Sequence, residues 1–341
     1  MARHALLCLL LAAGCGSDPG PGDRRLAVWS EFLTDDEVRA AAPLLAEEQA
    51  DLYLAMPEAR LGDPELAALI EELAADGVGV RAWVLLDEAD GYWPNEHNAA
   101  AMREAALAFA DWRDQAALPV DWIIFDMEMD IARTRAINDA ITADGPTAAL
   151  DLIEAGRDPE SFAAGRADYV ALLDELHGRG LKVMAVTYPM VLDDPGDGDD
   201  DIQDEMDVPV LGLPWDQASF MVYQSLIYDL TGEWHGPDVI ANYTSAAREL
   251  FGDRGAVALG IVGSAGITPV AMSYPDASTL LADHAAARAR SAAAVSIYSL
   301  DGVLQQDDPG VWLDAEIPAA EPPEVTSEYL RKLVAALLDD D

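Results

Sequence analysis

Short apolar runs, rich in β-branched and aromatic residues, alternate from residue 26 onward with Ala-, Leu- and Glu-rich runs of helical period. This alternation is typical of a parallel sheet whose strands are joined by crossover helices. It predicts eight strands, at Leu26–Phe32, Asp51–Met56, Val80–Asp87, Asp121–Met129, Leu181–Met190, Ser219–Leu226, Ala256–Gly263 and Ala293–Val303. It also predicts helices near residues 35–49, 64–76, 97–116, 131–154, 159–179, 238–251, 275–291 and 325–338.

Eight strands with helices between them predict an α/β fold, a (β/α)8 TIM barrel that forms a single domain over residues 26–341. An open doubly wound sheet is the alternative architecture. The nucleotide sites common on such open sheets have no support, because neither a GxGxxG nor a P-loop pattern follows the first strand.

The first fifteen residues have the layout of a bacterial export signal. A short polar start precedes the apolar run Ala5–Leu11, which is too short to span a membrane, and small residues follow. The ending LAAGC, at Cys15, resembles the lipobox of bacterial lipoprotein precursors. The resemblance implies removal of residues 1–14, acylation of Cys15 and a flexible tether over residues 15–25. A plain signal peptide that is cleaved elsewhere is the alternative.

A lipobox implies an exported protein that a lipid anchor holds to the cell envelope, at the outer membrane or the cell surface. Cys8 would leave with the signal and Cys15 would be blocked. The mature chain would then contain neither a thiol nucleophile, nor a disulfide, nor a cysteine metal cluster.

The charge balance is strongly acidic, with 63 Asp and Glu against 20 Lys and Arg, a net charge of −43. Such a surface excludes nucleic-acid partners, which need clustered cations. Disorder of the whole chain is excluded as well, since 51% of the residues are hydrophobic.

Acidic residues concentrate in the run Asp193–Asp207, after the fifth strand. That position lies on the barrel face where active-site loops gather, so the run disfavours anionic substrates and favours a neutral glycan. A solvated acidic loop is expected there. Calcium is the alternative, although no EF-hand spacing is present.

The functional side chains of a TIM barrel lie at the carboxyl ends of its strands. Here those ends carry carboxylates and aromatic residues: Glu31, Asp87, Glu88, Asp90, Tyr92, Trp93, Asp126, Glu128, Asp130, Tyr188, Tyr223, Gln224, Tyr298 and Asp301. The four histidines beyond the leader (His97, His177, His235 and His284) are scattered and expected on helix or loop surfaces. No HExxH or GxSxG is present, so a zinc protease and an α/β-hydrolase are excluded, and neither metal nor cofactor is expected.

Carboxylates beside aromatic rings suit carbohydrate, because sugars offer hydroxyls to the former and apolar C–H faces to the latter. Asp126 and Glu128 are two residues apart, so on a strand both point to one face. The charge of one carboxylate raises the pKa of the other, which would keep Glu128 protonated as a general acid. The segment Asp87–Asn98, with Tyr92 and Trp93, is expected either to wall a sugar groove or to fold its aromatic rings back onto the helix below.

The fourth strand resembles that of the chitinase-type glycoside hydrolases, family 18, which include endo-β-N-acetylglucosaminidases. The family signature is D-G-hydrophobic-D-hydrophobic-D-x-E, and the chain reads DWIIFDME from Asp121 to Glu128. Trp122 replaces the glycine and Ile124 replaces the central acid.

Three further strands extend the resemblance. Residues 221–224, MVYQ, are similar to the family's M-x-Y-D, with Gln224 in place of Asp. Residues 258–261 look like its LG-hydrophobic stretch. Residues 295–302, VSIYSLDG, look like its closing W-S-L-D-G stretch, with Tyr298 in place of Trp.

The resemblance implies a substrate-assisted, retaining hydrolysis of N-acetylhexosamine-containing glycans. Glu128 would protonate the leaving oxygen, Asp126 would orient the substrate acetamido group, and Tyr223 would hydrogen-bond the acetamido oxygen that attacks the anomeric carbon. Further residues are expected to bind the substrate: Asp121, Glu31, Tyr92, Trp93, Tyr188, Gln224, Tyr298 and Asp301.

The seventh strand, AVALGIVG, has no carboxylate that could act as a nucleophile, so either the substrate supplies one or the protein is not a glycosidase. Neither Ile124 nor Gln224 can ionise. A carbohydrate-binding barrel that has lost catalysis is therefore an alternative, and an unrelated function is another. The sequence predicts no oligomeric state.

Overall fold

The computed structural model describes residues 26–194, 200–264, 266, 270–314, 321, 323, 324, 326–329, 331 and 332. Eight parallel strands follow one another in chain order, and the first pairs with the last through Leu26 and Val295. The strands are β1 (Leu26–Ser30), β2 (Asp51–Pro57), β3 (Val80–Leu85), β4 (Trp122–Asp126), β5 (Lys182–Thr187), β6 (Gln217–Met221), β7 (Gly255–Gly260) and β8 (Val295–Tyr298). The predicted (β/α)8 barrel is confirmed, and the open sheet is wrong because the sheet closes.

Helices occupy the connections between the strands. In the part of the chain that the structure describes, they are α1 (Asp35–Glu47), α2 (Pro64–Ala75), α3 (Ala99–Ala116), α4 (Ile131–Asp144), α5 (Leu150–Glu154), α6 (Pro159–Gly178), α7 (Asp201–Glu205), α8 (Gln224–Thr231), α9 (Pro237–Phe251), α10 (Ala277–Ala289), α11 (Leu300–Val303) and α12 (Gly310–Leu313). Among these helices, none combines the length and the apolar character that crossing a membrane requires.

Helix starts follow local signals in the sequence. The Thr34 hydroxyl accepts from the Glu37 N–H, and the Glu37 carboxylate accepts from the Thr34 N–H at 2.8 Å, which forms a capping box before α1. The Asp63 carboxylate caps α2 from the position before Pro64.

The bounds of one helix and one strand differ from the predictions. The predicted helix over residues 131–154 is interrupted after Asp144, because Gly145 takes a positive φ of 92° and Pro146 follows it. Residues 224–226, predicted as the end of a strand, begin α8 instead. The predicted leader, the predicted tether with Cys15, and most of the predicted helix at 325–338 lie outside the described residues.

The core has two layers. The larger layer lies between the barrel and its helices and contains mainly Leu, Val, Ile and Ala. The smaller layer fills the barrel with larger side chains, and the ring of Trp29 meets those of Tyr53 and Trp83 edge-on at centroid distances of 4.8 and 5.0 Å. Below them the Arg81 guanidinium stacks over Trp122 at 4.0 Å. The bulky rings fill the inside of the barrel, so any open space lies at its ends.

Gly302, on α11, has no room for a side chain, because a Cβ there would lie 1.7 Å from the Val262 carbonyl oxygen. We expect Gly302→Ala to lower the free energy of unfolding by about 1–3 kcal/mol, through forced backbone displacement. Gly178, at the end of α6, faces open space and is the matched control, for which Ala is expected to be neutral or slightly stabilising. Equal urea midpoints for the two variants would contradict the close approach.

Candidate active site

A cavity of about 770 Å³ occupies the carboxyl end of the barrel. Its lining includes residues from the ends of six strands: Glu31, Trp93, Asp126, Glu128, Tyr188, Tyr223 and Tyr298 come from the sequence-based candidates, and Trp29 and Trp83 lie beneath them. Asp126, Glu128 and Tyr223, the three predicted catalytic residues, therefore border one space.

Local backbone structure explains how Asp126 and Glu128 reach the same cavity. Asp126 is the last residue of β4, and Glu128 lies two residues beyond it. The Met127 N–H donates to the Val186 carbonyl at 2.7 Å and the Glu128 N–H to the Pro94 carbonyl at 3.2 Å. These bonds hold the chain beyond the strand, so both carboxyl groups lie at the barrel mouth.

Burial controls the ionisation of this carboxyl pair. It raises the pKa of Glu128 to about 8, although a hydrogen bond from the Tyr188 hydroxyl opposes the rise. Burial also raises the pKa of Asp126 well above its usual range, and the charges of Glu128 and Glu31 add to that rise. Oδ1 of Asp126 is buried and has no hydrogen-bond partner among the described residues. The pair thus favours holding a proton near neutral pH.

Glu31 supplies a third carboxyl group from the end of β1. Its Oε1 accepts a hydrogen bond from the Tyr92 hydroxyl at 2.8 Å, and its Oε2 accepts one from the Tyr298 hydroxyl. Burial raises the pKa of Glu31 to about 7 against the effect of these two bonds. The carboxyl group is therefore held in one orientation.

Aromatic rings form much of the wall. Tyr223 stacks on Tyr298 with 5.8 Å between centroids and 25° between planes, and Trp93 meets Tyr92 edge-on at 5.1 Å. Gly260 admits the Tyr223 ring, since a Cβ there would lie 2.9 Å from Cδ1 of that ring. Of the two expectations for the segment Asp87–Asn98, the structure favours the groove wall, because Trp93 borders the cavity.

Four predicted substrate-binding residues do not line the cavity, and one of them, Tyr92, reaches the site only through its hydrogen bond to Glu31. Asp121 is exposed at the amino end of β4, before the strand begins, and so lies at the opposite end of the barrel from the cavity. The Gln224 side chain is buried behind the wall, where its amide donates to the Gly236 carbonyl and to Asp283. The carboxylate of Asp301 accepts from the Phe32 N–H at 2.9 Å and lines a separate open groove beside α1. These positions do not support direct contact with a substrate in the cavity.

The acidic run after β5 is not a solvated loop in its described part. The carboxylate of Asp194 accepts from the Ile202 N–H and the Gln203 amide, and that of Asp204 accepts from the Asp158 N–H at 2.7 Å. Several arginines pair with the remaining acids: Asp193 with Arg331, Asp200 with Arg166, Asp201 with Arg157 and Asp207 with Arg133. Helix formation and these pairs bury carboxylates that the sequence suggested were hydrated.

The histidine positions also depart from expectation in one case. His284, predicted on a surface, is buried on α10, where burial lowers its pKa to about 3. One group of three possible metal ligands occurs among the described residues, formed by Glu96, His97 and Asp207, and it lies outside the cavity lining.

No family model matches the sequence, and no curated protein matches it as a relative. Solved structures show the same fold. The glycoside hydrolase domain of PgaB from Bordetella bronchiseptica is 13% identical, with a TM-score of 0.52 over 87% of this chain and 99% of that one. The family 1 β-glucosidase from Thermotoga maritima is 12% identical, with a TM-score of 0.51 over 83% of this chain and 86% of that one.

A sugar epimerase barrel is similar as well. The D-allulose 3-epimerase from Methylomonas sp. is 15% identical, with a TM-score of 0.47 over 87% of this chain and 97% of that one. At such identities the likeness to the PgaB domain and the β-glucosidase shows the TIM-barrel fold alone, and the choice of function depends on the site itself.

Sequence reasoning did not identify every residue of the cavity. The strand pattern predicts only that Trp83 belongs to a strand, and the strand-end rule does not include Asn138 of α4 or Asp229 of α8. Trp83 could have been found, since it lies two residues before Leu85 and so shares its inward face. The helical residues could not, because strand-end reasoning does not reach the helices that close over the mouth.

The pKa of Glu128 predicts how stability changes with pH. Because the folded state holds this proton more tightly than the unfolded chain, its contribution is present below pH 4.5 and is lost as pH rises through about 8. We expect the free energy of unfolding of Glu128→Gln, measured with urea and relative to wild type, to be higher at pH 9 than at pH 5. The exposed Glu104 of α3 is the matched control, and a wild-type-to-variant difference that is the same at both pH values would contradict the buried proton.

Proposed function

We propose that the protein is a glycoside hydrolase that acts on N-acetylhexosamine-containing glycans, with Glu128 as general acid. The observation that carries the proposal is the placement of Asp126, Glu128 and Tyr223 around one aromatic-walled cavity, with a raised pKa for both carboxyl groups. A protonated carboxyl group beside aromatic platforms is the arrangement that glycosidic cleavage requires. The resemblance of β4 to family 18 supports the same conclusion.

The proposed reaction proceeds in two steps. Glu128 gives its proton to the leaving oxygen while the acetamido oxygen of the substrate bonds to the anomeric carbon, so the glycosidic bond breaks. Before the attack Tyr223 donates a hydrogen bond to the acetamido oxygen, and Asp126 accepts one from the acetamido N–H, so that its carboxylate balances the positive charge of the cyclic intermediate. In the second step water attacks the anomeric carbon, the bond from that carbon to the acetamido oxygen breaks, and a proton of the water passes to Glu128, which regenerates the acid with retained configuration.

Glu31 gives the site a third acid that compensates for Ile124. The family's central acid would lie next to Asp126 on β4, where this chain has a buried isoleucine. Glu31 instead enters from β1, and its charge raises the pKa of both Asp126 and Glu128. Like the family's central acid, Glu31 is thus an acid near Asp126 and Glu128, although it comes from a different strand.

A carbohydrate-binding barrel without turnover is the second candidate. The observation that favours it is the replacement of two family acids by Ile124 and Gln224, of which Gln224 is turned away from the cavity toward Asp283. Such a barrel would keep the aromatic walls and bind oligosaccharide without cleaving it.

Glu128→Gln tests the enzyme on chitooligosaccharide, N-glycoprotein and peptidoglycan substrates. Loss of the acid is expected to reduce kcat about a hundredfold to ten-thousandfold, with a smaller effect on KM, because the proton is needed in the transition state. Wild-type kcat/KM, which reports the pKa of the free enzyme, should fall as pH rises through about 8. Glu104→Gln should leave the rate unchanged.

A second comparison tests the role of the acetamido group. A substrate in which a hydroxyl replaces that group should be turned over far more slowly than the parent glycan, since it lacks the internal nucleophile. No wild-type turnover on any of the three substrates would exclude the enzyme for these glycans, and measured oligosaccharide binding would then favour the binding barrel.

We further propose that the chain is exported and held to the cell envelope by a lipid on Cys15. The support is the LAAGC ending of an apolar leader and the Gly- and Pro-rich tether that follows it. A neutral glycan of the envelope or its surroundings would then lie within reach of the barrel.

Cys15→Ala tests the anchor in a bacterial host. The variant should accumulate unprocessed and without lipid label, because the acylated sulfur is missing. The matched control is Cys8→Ala, which leaves the proposed lipidation site intact. Processing and membrane attachment of Cys15→Ala equal to wild type would contradict the proposal.

A further inference from the structure

Three side chains converge beside the barrel mouth but outside the cavity. Glu96 and His97 end the segment that carries Trp93, and Asp207 follows α7 after one intervening residue. His97 Nε2 lies 3.7 Å from Glu96 Oε1 and 3.5 Å from Asp207 Oδ1. The three ligand atoms all lie within 4.8 Å of one another.

The two carboxylates are buried and incompletely satisfied. The Glu96 side chain is 0% exposed and that of Asp207 is 1% exposed. No hydrogen bond of good geometry reaches the oxygens of Glu96 or Oδ1 of Asp207, whose polar side-chain neighbours are Ser161 and His97, whereas Oδ2 of Asp207 pairs with Arg133. Burying carboxylates in this way is costly unless a proton or a cation neutralises them.

His97 is oriented as a ligand. Its Nδ1 lies 3.0 Å from the Ser161 hydroxyl, and its Nε2 faces the two carboxylates. With the Nδ1 proton donated to Ser161, the lone pair of Nε2 faces the two carboxylate oxygens. Three acceptors facing one point favour a cation between them. Metal-bound histidines commonly use their second nitrogen in such a bond.

We propose that Glu96, His97 and Asp207 bind a divalent transition-metal ion, with Zn²⁺ the best match. Zinc bound to nitrogen and carboxylate oxygen at about 2.1 Å with tetrahedral angles separates its ligands by about 3.4 Å. The two distances from Nε2 are close to that value. The His97 side chain is 47% exposed, which leaves an open side for entry and for a water ligand.

The site would fasten the Trp93 segment to the chain after α7. The Glu96 N–H already donates to the Asp207 carbonyl at 2.9 Å, and Gly165 of α6 admits the Glu96 backbone, since a Cβ there would lie 2.7 Å from its carbonyl oxygen. A metal ion would add a bridge from the side chains to this backbone contact. The proposal is independent of the glycosidase chemistry, because none of its three residues lines the cavity.

The test is calorimetric titration of the full chain, freed of metal by chelation, with ZnCl₂, MnCl₂ and CaCl₂. One equivalent of Zn²⁺ is expected to bind most tightly, Mn²⁺ more weakly and Ca²⁺ least, since calcium prefers more oxygen ligands. Zinc should also raise the thermal midpoint of the wild type. His97→Ala should weaken zinc binding at least tenfold, and Ser161→Ala about tenfold through the lost orientation of His97.

His235→Ala is the matched control, since His235 contacts Thr231 near α8, away from the three ligands. Its zinc affinity should equal that of the wild type. The proposal is overturned if the wild type binds no zinc, or if His97→Ala binds it as tightly as wild type. The first outcome would exclude a zinc site at the three residues, and the second would place the zinc elsewhere on the acidic chain.

Discussion

The burial of carboxyl groups without a compensating cation is the constraint on which the site depends. Glu31, Asp126 and Glu128 surround one cavity, and none of its described lining residues is a Lys, Arg or His. Three carboxylates around one cavity cannot all ionise readily near neutral pH, because burial disfavours each charge and Glu31 raises the pKa of the other two. Protons must therefore neutralise them in part, and a site that stores protons is suited to donate one.

The tyrosines fit this constraint. Tyr92 and Tyr298 donate to Glu31, and Tyr188 donates to Glu128, so hydroxyl dipoles replace part of the lost hydration without adding a charge. An arginine in the same place would hold the carboxylates ionised and lower their pKa. Neutral donors leave the pKa of Glu128 high enough for a general acid, and the rings of Tyr188 and Tyr298 also form part of the cavity wall.

The fold was predictable from sequence because its signal is repeated. Eight β-branched runs with helices between them all proved to be strands, and errors were confined to their ends, where the chain turns into loops such as the one after Leu85. Part of the site was predictable from the rule that functional groups of a barrel lie at the carboxyl ends of its strands, which identifies Glu31, Asp126 and Tyr298. Gln224 and Asp301 obey the same rule and still point elsewhere, because α8 and α11 begin at these positions and turn their side chains toward neighbouring backbone. The direction of a side chain after a strand ends depends on tertiary contacts that no local pattern encodes.

The net charge of −43 has a different meaning once the few cations are located. Four arginines, Arg133, Arg157, Arg166 and Arg331, pair with carboxylates of the acidic segment after β5. Among the described residues that line the cavity beside this segment, none is an Arg, Lys or His. Carboxylates paired with arginine therefore stabilise the segment after β5, whereas the cavity carboxyl groups, which have no arginine partner, retain protons. The few cations thus neutralise buried carboxylates of the segment after β5, where the chain folds against the barrel. The carboxyl groups of the cavity have no neighbouring cation, which supports the acid chemistry proposed for them.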